Sequence, residues 1–410
     1  MILYYKFAQS LVQFFRNQYN MINVFLKNKI SRRVENGHPW IFGNEVNLVD
    51  GNAEGGDIVQ VFTHDKKFIG KGYINPKSQI LIRLLTRNNS ESINEDFFLR
   101  SIIQARDYKS KLGYTENCRL VFGEADYLPG LIIDKFNDYL VIQTLALGID
   151  KWKPEIIRAL EKIFSPKGIY ERNDVPVREL EGLPQQKGFL SAPFDTNIII
   201  NENQLRFHVD IENGQKTGYF LDQQDNRREL KNIVKDAEVL EVFCYTGTFS
   251  AHAAYYGAKK VLGVDISESA VNQARRNAEL NGLQDICSFE PMNAFDILKT
   301  WSKERRQYDV VILDPPAFTK SRENIDKAIA GYKEINLRAL KIIRKGGFLA
   351  TASCTNLITP ELFIQIIEDA AKDARRKLRQ VTYQTQSSDH PIIRGIENTQ
   401  YLKFLIVEVQ

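Results

Sequence analysis

Apolar residues recur along this chain in three textures, each predicting a different architecture. Between Ile22 and about Arg87 they come in short runs, NVFL, GDIVQVFT, FIGKGYI and QILIRLLT. Turn residues separate them, at Asp50-Gly51, Gly55-Gly56-Asp57, His64-Asp65 and Asn75-Pro76. Short alternating runs between such turns predict strands, here a compact β-barrel. Residues 94–112 switch to helical spacing, with Phe97, Ile102 or Ile103, and Ala105 on one side. LVFGEADYLPGLIIDKFNDYLVIQTL then reads as strand, loop, strand, hairpin, strand, before a helix at Lys153–Phe164 and a strand at 168–172. From Leu205 onward, longer apolar strands alternate with helices, the pattern of a doubly wound α/β sheet.

The stretch 239–265 organises that last part. An apolar run (Val239, Leu240, Val242, Phe243) stops at Cys244-Tyr245-Thr246-Gly247-Thr248, and a small-residue helix follows (Ser250, Ala251, Ala253, Ala254). A second apolar strand, 261–264, ends in Asp265. Strand, tight turn, helix, strand and acid form the opening βαβ unit, in which the acid takes the hydroxyls of a ribose. A dinucleotide site uses several glycines to admit a pyrophosphate. This turn has Gly247 alone, flanked by Thr246 and Thr248, which argues for a smaller neighbour such as the methionine part of S-adenosylmethionine. The pattern continues with a helix at 269–281, strands at 286–290, 308–313 and 348–353, a helix at 322–343, and final strands at 377–384 and 401–409.

Ligands of open α/β sheets bind beyond the carboxyl ends of the strands. Those tips carry 244–248, Asp265, Asn293, Asp314 to Phe318, and Cys354. In Asp314-Pro315-Pro316 the two prolines fix the backbone and leave a carboxylate and carbonyls to meet a planar base. Phe318 is placed to stack on a base taken out of its helix, or to serve as a core side chain beside a rigid turn. Cys354, between Ser353 and Thr355 ahead of a helix at Thr359-Pro360, is read as exposed to helix-start amides that favour a thiolate. A thiolate added to carbon 6 of cytosine makes carbon 5 electron-rich enough to take a methyl group. Cys244 and Cys287 read as small buried hydrophobes. Upstream of the sheet, Gly214 to Phe220 precede a helix that Asp222 or Gln223 caps, a loop able to close over a cofactor.

Composition narrows the class further. The 410 residues carry a net charge of +4, which permits a nucleic-acid partner, and Lys27, Lys29, Arg32 and Arg33 lie close to Trp40 as RNA contacts require. Four scattered cysteines make neither a zinc site nor a disulfide framework, in keeping with a cytoplasmic location, no metal and no membrane span. Residues 1–20 lack the marks of a signal peptide and are expected to be an appendage, or the product of an early start before Met21.

Several long stretches carry a resemblance: HPWIF at 38–42, GQKTGYFLDQQDNR at 214–227, VFCYTGTFS at 242–250, GVDIS at 263–267, LDPPAF at 313–318, Ser353-Cys354, and SDHP at 388–391. In these the chain from Met21 onward resembles the RlmI-like family of bacterial 23S ribosomal RNA cytosine-5 methyltransferases. The resemblance implies a PUA-like RNA-binding domain at 21–92, a central α+β domain at 93–204, and a class I Rossmann-like methyltransferase domain with a mixed seven-stranded sheet at 205–410. It implies S-adenosylmethionine as cofactor, held by Phe243, Cys244, Tyr245, Thr246, Gly247, Asp265, Ile266, Asn293, Ala294 and Asp314. It also implies Cys354 as nucleophile with Asp314 assisting, Pro315, Pro316 and Phe318 around the base, and Arg32, Arg33 and Trp40 toward ribosomal RNA; a homodimer is admitted. The third strand tip departs from the family in showing Asn293 where an aspartate is usual, and its amide oxygen is expected to accept from the adenine amino group. Three rivals stand beside this reading. The Asp-Pro-Pro-Ala-Phe turn also resembles that of enzymes methylating guanine or an exocyclic amine without a cysteine. A non-catalytic RNA-binding assembly factor is the second, and a nicotinamide dehydrogenase, lacking its glycine fingerprint, the weakest.

Overall fold

In the computed structural model, residues 21–28 and 32–410 are described; the expectations for residues 1–20 and for Lys29 lie outside them. The chain separates into two compact units, one running to Phe194 with Ile392–Glu397, the other comprising Asp195–Pro391 and Asn398–Gln410. The division falls at 194/195 rather than at 204/205. The reason is a hairpin, Asn197–Glu202 with Leu205–Asp210. Asn277 and Asn281 accept from the backbone N–H of His208 and Arg206, so the hairpin belongs with the second unit's helices.

The first unit holds two sheets. Six strands form one, in the order Trp40–Ile41, Ile82–Thr86, Phe68–Ile74, Ile58–Phe62, Ile22–Leu26, Val46–Asp50. Val24, Leu26, Val59, Val61, Ile74, Ile82 and Leu84 are its core. The strands at 40–41 and 46–50 escaped the sequence pattern: the first is two residues long and the second half-exposed. Five further strands make a second sheet, on which helices Glu95–Lys111 and Lys153–Phe164 pack. The first helix is capped by Asn94, whose side chain accepts from Phe97 N–H, and buries Phe97, Phe98, Ile102 and Ala105. Buried polar contacts tie the first sheet to connections of the second: Tyr73 hydroxyl donates to Pro129 carbonyl at 2.8 Å, and Arg83 pairs with Glu181 at 2.8 Å.

The second unit is built on seven strands: β1 Glu238–Val242, β2 Lys260–Asp265, β3 Cys287–Pro291, β4 Tyr308–Leu313, β5 Ile343–Ser353, β6 Leu378–Gln384 and β7 Lys403–Val409. Their order is β3-β2-β1-β4-β5-β7-β6, parallel except that β7 runs antiparallel to both neighbours. Helices α1 Thr248–Tyr255, α2 Glu268–Leu280, α3 Ala294–Glu304, α4 Ile325–Ile342 and α5 Pro360–Ala374 connect the parallel strands. Ser267, Asn293 and Thr359 cap α2, α3 and α5 by accepting from backbone N–H groups. The gap expected between the helix ending at 343 and the strand starting at 348 is absent. Gly346-Gly347 lies inside β5 because the β4–β5 ladder slips between Tyr308 and Val310, and Gly346 takes φ +83° there. No helix among the described residues is long and apolar enough to cross a membrane.

The entry loop to this sheet is fixed by Arg227, which is buried at 1% exposure. Its guanidinium grips Glu202 at 2.6 and 3.0 Å, donates to Phe220 carbonyl at 2.7 Å and lies over the rings of Tyr219 and Phe249. Removing one partner of a buried pair strands the other charge. Glu202→Ala is therefore expected to lower unfolding stability by about 3–5 kcal/mol, measured as a shift of the urea transition.

Candidate active site

Parallel pairing sets Val242 opposite both Val264 and Leu313, and Leu313 opposite Thr351. The next residues, Phe243, Asp265 and Asp314, therefore emerge level at one sheet edge, with Cys354 just past the end of β5. The turn after β1 is unusual in its backbone. Phe243, Tyr245 and Gly247 take φ +66°, +46° and +72°. Two of these are not glycines, and each left-handed residue of that kind costs on the order of 1 kcal/mol or more. The conformation is held by Cys244 N–H on Val264 carbonyl, Tyr245 N–H on Asp265 Oδ2 at 2.9 Å, and Asn277 Nδ2 on Thr246 carbonyl at 2.9 Å. The missing Cβ of Gly247 makes room for protein: a methyl there would lie 2.7 Å from Phe289 and 2.8 Å from Ala274. Cys244 and Cys287 are buried, and within the turn Cys244 Sγ–H donates to Tyr245 carbonyl at 3.8 Å.

Asp265 accepts Tyr245 N–H on one oxygen and Ser267 N–H, 2.9 Å, on the other. Beside it, Ile266 is 74% exposed and Phe295 41% exposed. Asn293 does not offer its oxygen freely: Oδ1 accepts Phe295 and Asp296 N–H at 3.0 and 3.3 Å as the cap of α3. Its amide NH2 is what it can still present. Ala294 is buried behind it.

At the neighbouring tip Asp314 Oδ1 accepts Gln223 Nε2 at 2.9 Å. Burial, with the nearby Asp222 charge, raises its carboxyl to about 7. Asp222 goes the opposite way. Burial alone would raise it, but the Lys216 ammonium at 2.8 Å, the His390 ring and the Tyr401 hydroxyl at 2.5 Å together hold it well below the carboxylate range. Asp222 and Gln223 thus cap no helix with their side chains; the helix begins at Gln224 after a single 3-10 turn. His390 Nδ1–H donates to Asp389 Oδ1 at 2.8 Å, and Asp389 Oδ2 accepts from Gln224 Nε2 at 3.2 Å, so SDHP joins the entry loop. Pro315 is buried and Pro316 exposed. Phe318 packs on α4, its ring 4.5 Å from that of Tyr332.

Cys354 is half-buried, its Sγ 4.0 Å from Pro315 carbonyl. The expectation of a thiolate favoured by helix-start amides is not met. Helix α5 begins only at Pro360, and burial pushes the thiol up, with Asp314 and Asp222 adding to it and Lys216 opposing. Sequence reasoning also missed Glu241, in mid-β1. Its carboxylate accepts Ser250 N–H at 2.8 Å and bonds Ser250 hydroxyl, and burial raises it to about 8. An acid inside an apolar strand was the available signal. In the first unit, Arg33 is committed internally to Glu45, Trp40 carbonyl and His38, and Trp40 Nε1 donates to Glu124 at 2.8 Å. Arg32 is the exposed cation of the three residues expected to face RNA.

Comparison with known proteins agrees with this geometry. A family model described as S-adenosylmethionine-dependent methyltransferase matches residues 186–405, and a PUA-like domain model matches 24–87. A ribosomal RNA large subunit methyltransferase I from Shewanella denitrificans is 39% identical over 95% of this chain and 99% of its own. The protein of that name from Tolumonas auensis is 39% identical over 94% and 98%. The chain belongs to this methyltransferase family. Its fold matches a SAM-dependent methyltransferase from Streptococcus mutans, TM-score 0.79 at 22% identity over 95% of this chain and all of the other. A second solved methyltransferase, complexed with SAH, gives 0.81 at the same identity and coverage.

The residues of this methyltransferase fit S-adenosylmethionine. The Asp265 carboxylate offers acceptors for a ribose diol, and the exposed apolar faces of Ile266 and Phe295 beside it suit a flat, weakly polar adenine. Loss of a charge-assisted hydrogen bond costs about 1.5–3 kcal/mol. Asp265→Ala should therefore weaken S-adenosylhomocysteine binding, read by calorimetry, at least on the order of tenfold. For Glu241 the sign is fixed by its raised carboxyl: the fold is favoured by the proton, fully below about 4.5, and that advantage disappears as pH rises through about 8. Glu241→Gln keeps both acceptor contacts without a titrating group, so it should flatten stability between those pH values and gain a few kcal/mol at pH 8, measured by urea unfolding across pH.

Proposed function

We propose that this methyltransferase modifies carbon 5 of a cytosine in large-subunit (23S) ribosomal RNA through a covalent adduct on Cys354. The observation that carries the reading is the pairing of Cys354 with Asp314 at adjacent strand tips, Sγ lying against the carbonyl of Pro315. Ribosomal RNA as substrate is supported by the name of the relatives and by the PUA-like domain. S-adenosylmethionine, when bound, supplies an electrophilic methyl group.

The chain's own residues do the rest. Cys354 Sγ attacks carbon 6 of the cytosine, and the displaced π electrons pass toward the ring as N3 takes a proton. Asp314 is suited to give that proton, since near neutrality it is neither firmly ionised nor firmly neutral. Burial first, and then the charge of Asp222, anchored by Lys216 and Tyr401, bring the Asp314 carboxyl to that range. After methyl transfer the carbon-5 proton leaves to a base, the C5=C6 bond re-forms as the Sγ–C6 bond breaks, and N3 gives its proton back to Asp314. Phe318 and the two prolines border the base, Phe318 held from behind by Tyr332. In the PUA-like domain, Arg32 is the residue of the expected RNA set free to meet phosphate.

The test uses 23S ribosomal RNA lacking the modification and methyl-labelled cofactor, read by nucleoside mass spectrometry. Labelled 5-methylcytosine is expected from the wild type. Cys354→Ala should lose it while still binding cofactor, and Asp314→Asn should slow it by about 10²- to 10⁴-fold. Label in a guanine or adenine nucleoside, unaffected by Cys354→Ala, would replace this reading with methylation that uses no cysteine.

A further inference from the structure

A buried ammonium costs several kcal/mol unless an anion answers it. In the first unit Lys109, fully buried, has its answer in Asp126 at 2.7 Å. Lys403 has none. It opens β7 opposite Ser353 in the β5–β7 ladder and is 2% exposed. Its Nζ donates to Thr355 carbonyl and Tyr401 carbonyl, both at 2.8 Å, and among the described residues it is within ion-pair distance of no carboxylate. Burial lowers its ammonium to about 8, opposed by one group, the Cys354 thiol.

The contacts bracket the nucleophile. Lys403 is paired in the strand register with the residue before Cys354 and bonded through its side chain to the residue after. The other groups acting on the thiol are Lys216 from the entry loop, Asp222 from the turn before Gln224, Asp314 from the tip of β4, and Tyr332 from α4. The two aspartates oppose ionisation. Lys216 favours it, but that cation is 42% exposed and already paired with Asp222.

We propose that Lys403 is a positioning residue for Cys354: it clamps the backbone on both sides of the cysteine and supplies the buried positive charge that steadies the thiolate. Ionisation breaks Sγ–H and the proton passes to solvent, with Lys403 in its ammonium form below about 8. An ammonium without a carboxylate makes sense here because its counter-ion is transient, present after Cys354 ionises and consumed when the Sγ–C6 bond forms. The inference rests on the reading of Cys354 as nucleophile, but it is tested on the thiol itself.

The measurement is the rate of iodoacetamide alkylation of Cys354 against pH, followed by mass spectrometry of the Cys354 peptide in the whole protein. S-adenosylhomocysteine binding by calorimetry serves as the control for folding. Lys403→Gln can still donate to a carbonyl but carries no charge. It should raise the alkylation midpoint by about one pH unit or more, slowing labelling at pH 7.5 on the order of tenfold. Lys403→Arg, a permanent cation, should leave the midpoint at or below the wild-type value. A Lys403→Gln protein that binds cofactor with an unchanged midpoint would overturn the proposal. If Lys403→Gln fails to bind cofactor, Lys403→Arg decides above pH 8: a permanent cation must leave Cys354 at least as reactive as wild type, and a loss overturns the idea. The two readings fail separately. Methylation surviving in Cys354→Ala removes the nucleophile, whereas an unmoved midpoint removes Lys403 alone.

Discussion

Hydrogen bonding between parallel strands permits one register at a time, and in this sheet that register is the constraint behind the chemistry. A slip of one residue would turn each side chain to the other face. With Val242 opposite Val264 and Leu313, the turn after β1, Asp265 and Asp314 arrive together from distant parts of the chain. The antiparallel β7 then closes over β5 and brings Tyr401 and Lys403 to the same edge. A single apolar core enforces the alignment, since Leu240, Val242, Val264, Val311 and Leu313 bury in one cluster.

That alignment places two carboxyls and a thiol in one partly dehydrated space, where burial disfavours every anion. The outcome differs by neighbour. Asp222 stays ionised because a lysine and a tyrosine hydroxyl answer it, whereas Asp314 has a single neutral amide for partner and inherits the repulsion of Asp222. One acid is thereby kept charged and the other is brought near neutrality, the division of roles that acid–base sites require. The thiol follows Asp314 rather than Asp222, and a resting thiol is protected from adventitious reaction until a partner favours its ionised form.

Local signals were enough to read the strands of the α/β sheet, the tip positions and the Asp-Pro-Pro turn, since apolar runs, turn residues and caps are all short-range features. The helix at Lys153–Phe164 and the N-cap at Thr359 lay in plain view for the same reason. What escaped was non-local. That Arg33 is bound to Glu45, that Trp40 is tied to Glu124, or that Asp222 serves Lys216 and Tyr401 instead of a helix cap depends on pairs set by folding. Lys403 carries no local mark in the sequence Tyr401-Leu402-Lys403, and only the sheet order shows that its neighbour is Ser353. Asn293 was read as an acceptor for adenine, while its position before Phe295 and Asp296 made it a helix cap first.

Gly247 carries a related lesson about the cofactor turn. Glycine there answers Phe289 and Ala274, so the room it makes is on the protein side, and the ligand side must be shaped by something else. That something is the left-handed pair Phe243 and Tyr245, residues that resist such a conformation unless their surroundings hold it. Asp265 is the principal holder, because one of its oxygens takes Tyr245 N–H while the other takes Ser267 N–H at the start of α2. The carboxylate suited to the ribose is therefore also the clasp of the turn. Shape and recognition are joined in one side chain, so a substitution at Asp265 releases backbone strain at the same time as it removes acceptors. This also explains why the turn manages with one glycine. The strain that a glycine-rich loop avoids is here borne by two aromatic residues, whose rings remain at the strand edge for packing: Phe243 beside Phe295 and Phe318, and Tyr245 beside Phe220.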